Sequence, residues 1–351
     1  MNQLDVALYF DVEDYFHPPE MGSDDIIQQF AQALDAEDLR GNFLFIAVRA
    51  QLLNARGRRD VVESLAKHEI GLHTLTAEHP CLPEYTAGKD WDTAVALARA
   101  HEAKGWEILQ EVFGRDPACI SHHAQYVAPY TFPVAKEFGV PHVYGYPAAP
   151  PLYSLSWYAG ALNIPSADPV RLGTEVLSYF EFGDENYSDE AGFERSLRAL
   201  DRQIAACLAN DQPYLTIFIC HPYHLRYIEF IDYWQYINGK NIPQEEWGMR
   251  NGGPRRRSDA QMEVAWRNVR RLFRYIAQHD ALNVLTLPEI QRKYGTQPAT
   301  ITRTDLLAAA QIVTRVPHAG LVASGWYKRA GEAVPQVHAY GNYSAAELAV
   351  G

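Results

Sequence analysis

Apolar residues fall along this chain in short unbroken runs of strand length, separated by longer stretches with a helical period. Residues 6–10 form the first run and end abruptly in Asp11-Val12-Glu13-Asp14. Ser23 followed by Asp24 and Asp25 predicts a helix start, with the helix reaching about residue 38. A second apolar strand over 43–48, a helix over 60–68 and a short strand over 69–72 that stops at His73 continue the series. Farther on, the pattern predicts a helix over 91–113, a strand over 117–120 that empties into Ser121-His122-His123, a helix over 131–138 and a strand over 140–144. It then predicts a strand over 176–182, a helix over 190–210, a strand over 214–220 ending at His221, a helix over 259–279 and a last strand over 283–287.

Alternating strands and helices imply a parallel sheet covered by helices, either an open doubly wound sheet or a barrel. Both architectures bind ligands at the carboxyl ends of the strands. Four predicted strands end in Asp11 with Asp14, in His73, in His122 with His123, and in His221, so one rim would gather them all. Residues 73–90 form a long polar loop, and loops of that length in a compact fold are usually functional. From residue 296 the composition turns to small residues, which divides the chain into a 1–295 catalytic domain and a 296–351 stretch read as a small helical tail or a truncated module.

Composition narrows the function. The chain has 351 residues, 47% hydrophobic and 21% charged, enough for a large core. A net charge of -12, with only a short basic run at Arg255, Arg256 and Arg257 in view, excludes an electrostatic footprint for nucleic acid or an anionic membrane. Cys81, Cys119, Cys207 and Cys220 show no Cys-x-x-Cys spacing, which argues against a thiolate zinc site and a disulfide scaffold. Met1 runs almost directly into the first strand, with no leader pattern and no window of transmembrane length, so a soluble cytoplasmic protein is expected.

Several chemistries lack their motifs: there is no Gly-x-Ser-x-Gly elbow, phosphate-binding glycine loop, dinucleotide fingerprint or His-Glu-x-x-His. Carboxylates as crowded as Asp11, Glu13 and Asp14 raise one another's pKa unless a cation or a shared proton neutralises them. Two imidazoles and one carboxylate with an open position form a recurring catalytic metal site, so metal-assisted hydrolysis is the best-supported class. Tyr223, Tyr227, Tyr233, Trp234 and the stretch 144–158 are candidate sugar-stacking platforms, although packing is the commoner role of such rings.

At this point the residues resemble the polysaccharide deacetylases of the NodB type, the carbohydrate esterase family with a distorted (β/α) barrel. The resemblance spans roughly residues 4–290. It rests on Phe10-Asp11-Val12-Glu13-Asp14, Asn42-Phe43-Leu44-Phe45-Ile46, Glu69-Ile70-Gly71-Leu72-His73-Thr74 and Ile219-Cys220-His221, in that order. It implies Asp11 as general base, His221 as general acid, and Asp14 (or Glu13) with His73 as ligands of a divalent metal, Zn²⁺ first, with Co²⁺, Ni²⁺ or Mn²⁺ as alternatives. The implied activity is removal of an N-acetyl or similar acyl group from a sugar or glycan, or hydrolysis of another small amide.

Two departures matter. The family's His-Ser/Thr-x-x-His spacing falls on Ala77, and the next imidazole is His79, taken as the third ligand. Ser121-His122-His123-Ala124-Gln125 stands where the family has Arg-Pro-Pro, which makes His122 and His123 further candidates for the missing ligand or for substrate contact. A catalytically inactive glycan- or partner-binding protein and a metal-independent cyclic-amide hydrolase of the same fold are the alternatives.

Overall fold

The computed structural model describes residues 3–123, 128–140, 142–144, 155–158, 161–164, 170–172, 175–177, 183–210, 212–229, 236–237, 240–243, 246 and 254–295. In chain order the elements begin with β1 (Leu4–Val12), α1 (Ser23–Asp35), β2 (Asn42–Phe45), α2 (Ala47–Ala55), α3 (Arg59–Ser64), β3 (Glu69–His73), α4 (Leu82–Tyr85) and α5 (Trp91–Phe113). They continue with β4 (Ile120–Ser121), α6 (Thr131–Glu137), β5 (His142–Tyr144), β6 (Ser156–Tyr158), β7 (Ala161–Ile164) and the hairpin of β8 (Val170–Leu172) and β9 (Glu175–Leu177). After α7 (Glu190–Ala209) and β10 (Tyr214–Cys220) come a two-stranded hairpin, β11 (Tyr236–Ile237) with β12 (Lys240–Asn241), then α8 (Asp259–Gln278), β13 (Leu282–Val284) and α9 (Leu287–Tyr294).

The principal sheet runs β10-β1-β2-β3-β4-β5-β7-β6, parallel throughout except for the β6–β7 pair. Among the described residues no ladder joins β10 back to β6, so the strands form an open-sided α/β barrel with helices packed around it. β13 pairs with Leu4, Val6 and Asp5 of β1, below the stretch of β1 that pairs with β2. Asn42 locks that junction, donating from Nδ2 to the Leu8 carbonyl at 2.9 Å and accepting from the Leu287 N–H at 2.9 Å.

Two cores lie on the two faces of the sheet. Leu4, Val6, Leu8, Phe10 and Val12 of β1 pack with Ile27, Phe30 and Leu34 of α1 and Ala47, Ala50 and Leu53 of α2. Ala7 and Tyr9 turn the other way, into the barrel interior with Leu44, Cys119, Leu162 and Phe218. The period of two along a strand makes this division. The interior is crowded: a Cβ on Gly71 would stand 2.1 Å from Leu44 Cδ2 and 2.5 Å from Cys119 Sγ, so β3 needs a glycine there.

Most helices match the sequence pattern closely, among them α5, α7 and α8. Several boundaries differ, among them the strand over 117–120, which is Ile120–Ser121, and the helix over 60–68, which is Arg59–Ser64; three further differences have a clear local cause. Ala47 and Val48, read as the end of a strand, open α2, because an apolar run cannot by itself distinguish a buried strand from a buried helix. Leu287, read as the end of the last strand, is the first residue of α9, where Thr286 and Glu289 form a capping box. The first helix is capped by Gly22, at φ 71°, and Ser23 lies inside it. The predicted strand over 176–182 is described only as far as residue 177, where it belongs to the β8–β9 hairpin; the rest of it, Tyr233, Trp234, Ala124, Gln125 and the proposed 296–351 module lie outside the described residues. No helix among the described residues is long and apolar enough to cross a membrane.

Candidate active site

Strand alternation decides which side chains meet at the barrel mouth. Continuing the interior row of β1 past Ala7 and Tyr9 gives Asp11 and then Glu13; Asp14 belongs to the opposite row, facing α1 and α2. On β3, Ile70 and Leu72 pack outward, so His73 faces in. Around β4, Cys119 lies in the interior core and Ile120 in the outer one, which puts Ser121 and His123 inside and His122 outside.

On β10 the alternation alone would send His221 outward, since Leu215, Ile217 and Ile219 all join the outer core. The ladder prevents it. Tyr9 pairs with Phe218 but Phe10 pairs with Cys220, so Ile219 is an extra residue, and this bulge turns His221 inward.

The result is a cluster of two carboxylates and three imidazoles, buried except for the partly exposed His221. Glu13 Oε1 lies 2.9 Å from His73 Nε2 and 2.8 Å from His123 Nδ1. Asp11 Oδ1 is 3.4 Å from His73 Nε2, and His221 Nε2 is 3.8 Å from Asp11 Oδ2 and 3.9 Å from Glu13 Oε2. Behind this layer, His73 Nδ1 meets Ser121 Oγ at 2.5 Å, leaving Nε2 to face the carboxylates. His221 is held at two points by Asp184, whose Oδ1 accepts from the His221 N–H at 3.1 Å and whose Oδ2 lies 2.9 Å from Nδ1. The turn out of β3 is set by Thr74 in the left-handed region at φ 67°, anchored by its hydroxyl on Glu102 Oε1 at 3.1 Å.

The electrostatics separate the two carboxylates. Burial raises the Asp11 carboxyl above its ordinary value; the His73 charge offsets part of that rise, and the smaller effect of the Glu13 charge adds to it. Burial would raise Glu13 too, but His123 and His73 hold it well below the carboxylate range. His221, which burial alone would make harder to protonate, is pushed up to about 10 by the Asp184 carboxylate on its far nitrogen.

No protein-family model matches the sequence, and neither does any curated protein. Among solved structures, the chain is similar to a probable polysaccharide deacetylase from Pseudomonas aeruginosa PAO1, with 12% identity, 84% of this chain and 93% of that one covered, and a TM-score of 0.51. The chain has the polysaccharide-deacetylase fold. It is also similar to Puue allantoinase, at 14% identity over 85% of this chain and 92% of the other with a TM-score of 0.50. A 4-alpha-glucanotransferase from Thermococcus litoralis matches at 9% identity over 93% of this chain and 48% of that one, with a TM-score of 0.52.

Within this deacetylase fold the residues singled out from the sequence divide. Asp11, Glu13, His73, His123 and His221 are brought together. Asp14 and His79, expected beside His73, are placed elsewhere. Asp14 is fully buried against Arg49, with Nε 3.1 Å from Oδ1, because it projects from the outer row of β1. His79 lies on the loop toward α4, where its Nδ1 is 2.6 Å from Glu84 Oε2. His122 faces outward to Thr131, 3.1 Å from Nε2. Tyr223 and Tyr227 are fully buried and pack on His17, so they present no open face to a sugar.

Asp184 escaped the sequence reading. It lies in a single helical turn, Asp184–Ser188, 37 residues before His221, and no periodicity links the two.

The donors present fit a divalent cation. Glu13, His73 and His123 offer ligand atoms that all lie within 4.8 Å of one another, two imidazoles and a carboxylate. Asp11 Oδ1 and Glu13 Oε2 are buried with no hydrogen-bond partner among the described residues, as expected where carboxylates await a positive charge.

Proposed function

We propose that this protein is a metal-dependent hydrolase of carbon–nitrogen amide bonds that removes an acetyl or similar acyl group from an N-acylated sugar. The observation that carries the reading is the convergence of Asp11, Glu13, His73, His123 and His221 at the carboxyl ends of four strands of a deacetylase-type barrel.

Glu13, His73 and His123 are the residues that would hold the divalent cation, Zn²⁺ by the mixture of nitrogen and oxygen donors. Once bound, the ion supplies Lewis-acid polarisation of the amide carbonyl and acidifies water. Asp11 is the general base: its carboxylate borders the cation ligands without sharing their hydrogen bonds, and burial has already made it more basic than an exposed aspartate. His221 is the general acid. Asp184 on Nδ1 keeps the ring protonated at neutral pH and aims Nε2 at the mouth, where the leaving amine needs a proton. Ser121 fixes the His73 ring from behind, as partners of metal-binding imidazoles commonly do.

The test is acetate release from N-acetylated oligosaccharides by the purified protein, with metal content measured on the same sample. At least one equivalent of divalent metal and loss of hydrolysis in Asp11→Asn and His73→Ala support the reading; full activity in both variants defeats it. The likeness to an allantoinase keeps a second reading, hydrolysis of a small cyclic amide without metal, which activity persisting after chelation would select.

A further inference from the structure

His79, absent from the main cluster, belongs to another with Cys81 and Glu84. His79, Cys81 and Glu84 present an imidazole, a thiol and a carboxylate whose ligand atoms all lie within 4.8 Å of one another. We infer that these three side chains form a second cation site, for a borderline-soft ion of the Zn²⁺ class, on the wall of the cleft that leads to His123.

Four observations carry this. The donor set mixes sulfur, nitrogen and oxygen, which suits zinc and poorly suits magnesium or calcium. The group is reachable: the His79 and Glu84 side chains are 14% and 18% exposed, and Cys81 is half-buried while Cys119, Cys207 and Cys220 are buried. Its backbone is pinned, because Asn241 accepts from the His79 N–H at 2.9 Å and donates to the His79 carbonyl at 2.6 Å. Finally, Cys81 caps α4, a task at which serine, threonine or aspartate is better than a weakly accepting thiol, so capping does not account for the sulfur.

The site borders the reaction centre without belonging to it. A cleft of about 280 Å³, counted with its solvent-open part, is lined by Thr74, Thr76, Cys81, His101, His122 and His123. Cys81 therefore shares a wall with a proposed ligand of the first cation, and an ion held there would narrow and charge the approach.

Cobalt(II) titration of the full-length protein tests the inference independently of the main cluster, since only this site contains sulfur. The expected result is a sulfur-to-cobalt charge-transfer band in the near ultraviolet that persists in Glu13→Gln and vanishes in Cys81→Ser. Serine preserves the helix cap, so folding is retained, and unchanged circular dichroism verifies it. Zn²⁺ at ten times its dissociation constant should slow alkylation of Cys81 about tenfold. Absence of the band in the wild-type protein, its survival in Cys81→Ser, or an alkylation rate indifferent to zinc overturns the second site. Loss of one metal equivalent and of hydrolysis in Glu13→Gln with the band intact tests the first site alone.

Discussion

Glu13 and Asp14 are neighbours in sequence and both are buried, yet they live in opposite electrostatic worlds. Glu13 looks into the barrel mouth at His73 and His123, beside a second carboxylate, Asp11, and with no arginine or lysine paired to it among the described residues. Asp14 looks out toward α1 and α2, where the protein supplies its own cation: Arg49 reaches Asp14 with Nε at 3.1 Å and Asp24 with Nη2 at 2.5 Å, and Arg56 adds a contact to Asp24 at 3.0 Å. The first arrangement leaves negative charge for something that arrives; the second has neutralised it during folding. Acid density in the sequence does not separate these cases, whereas the identity of the neutralising cation does.

The comparison breaks most visibly if the mouth proves structural. Asp11→Asn should lower kcat for amide hydrolysis by about 10²–10⁴ while leaving thermal stability unreduced. A variant that unfolds early but remains active would place Asp11 with Asp14. Conversely, Arg49→Met should cost about 3–5 kcal/mol in urea denaturation, because Asp14 and Asp24 are then left buried without their guanidinium. Adding Asp14→Asn should recover part of that loss; no recovery would mean that Arg49 acts by packing alone.

Smaller effects sharpen the picture. Ser121→Ala frees the His73 ring and should weaken metal affinity about 10–100-fold, read by competition with a chromogenic chelator, with little change in melting temperature. His221 supplies a pH signature. Its folded pKa, about 10, exceeds the ordinary 6.5, so protonation stabilises the fold fully below pH 6.5 and that contribution fades as pH rises toward 10. In Asp184→Asn the alkaline fall in stability should flatten and the alkaline limb of activity should move to lower pH; unchanged profiles would separate Asp184 from His221. Asp14 gives the opposite sign. Burial would raise it, but Arg49 and His17 hold it below its ordinary 3.8, so its stabilisation is present above that value and lost as pH falls beneath it. Arg49→Met should remove this acid-side dependence, as equilibrium unfolding at graded pH would show.

Much of this was legible in the linear pattern. The strands through Phe10, Leu72 and Phe218 and the long helices could be located from runs and periods, and the polar residues that end them converge in any parallel β/α architecture. The choice between Glu13 and Asp14 was open in the motif, although the alternation of Ala7, Tyr9 and Asp11 already placed Glu13 on their face. The same rule sorts His123 from His122. His79 resisted because the geometry of its loop is fixed by a distant partner, Asn241.

The sequence by itself determined the parallel α/β layout, the acidic end of β1 and the histidines at the ends of β3, β4 and β10, because strand length and side-chain alternation are local properties of the chain. Only the tertiary structure decided that His221 faces inward, that Asp184 stands behind it, that Arg49 claims Asp14 and that His79 joins Cys81. The first three depend on a bulge or an ion pair between segments far apart in sequence, and the last on Asn241, 162 residues away, which fixes the loop that carries His79. Such contacts are set by how the strands pair and the helices pack, which no local pattern records.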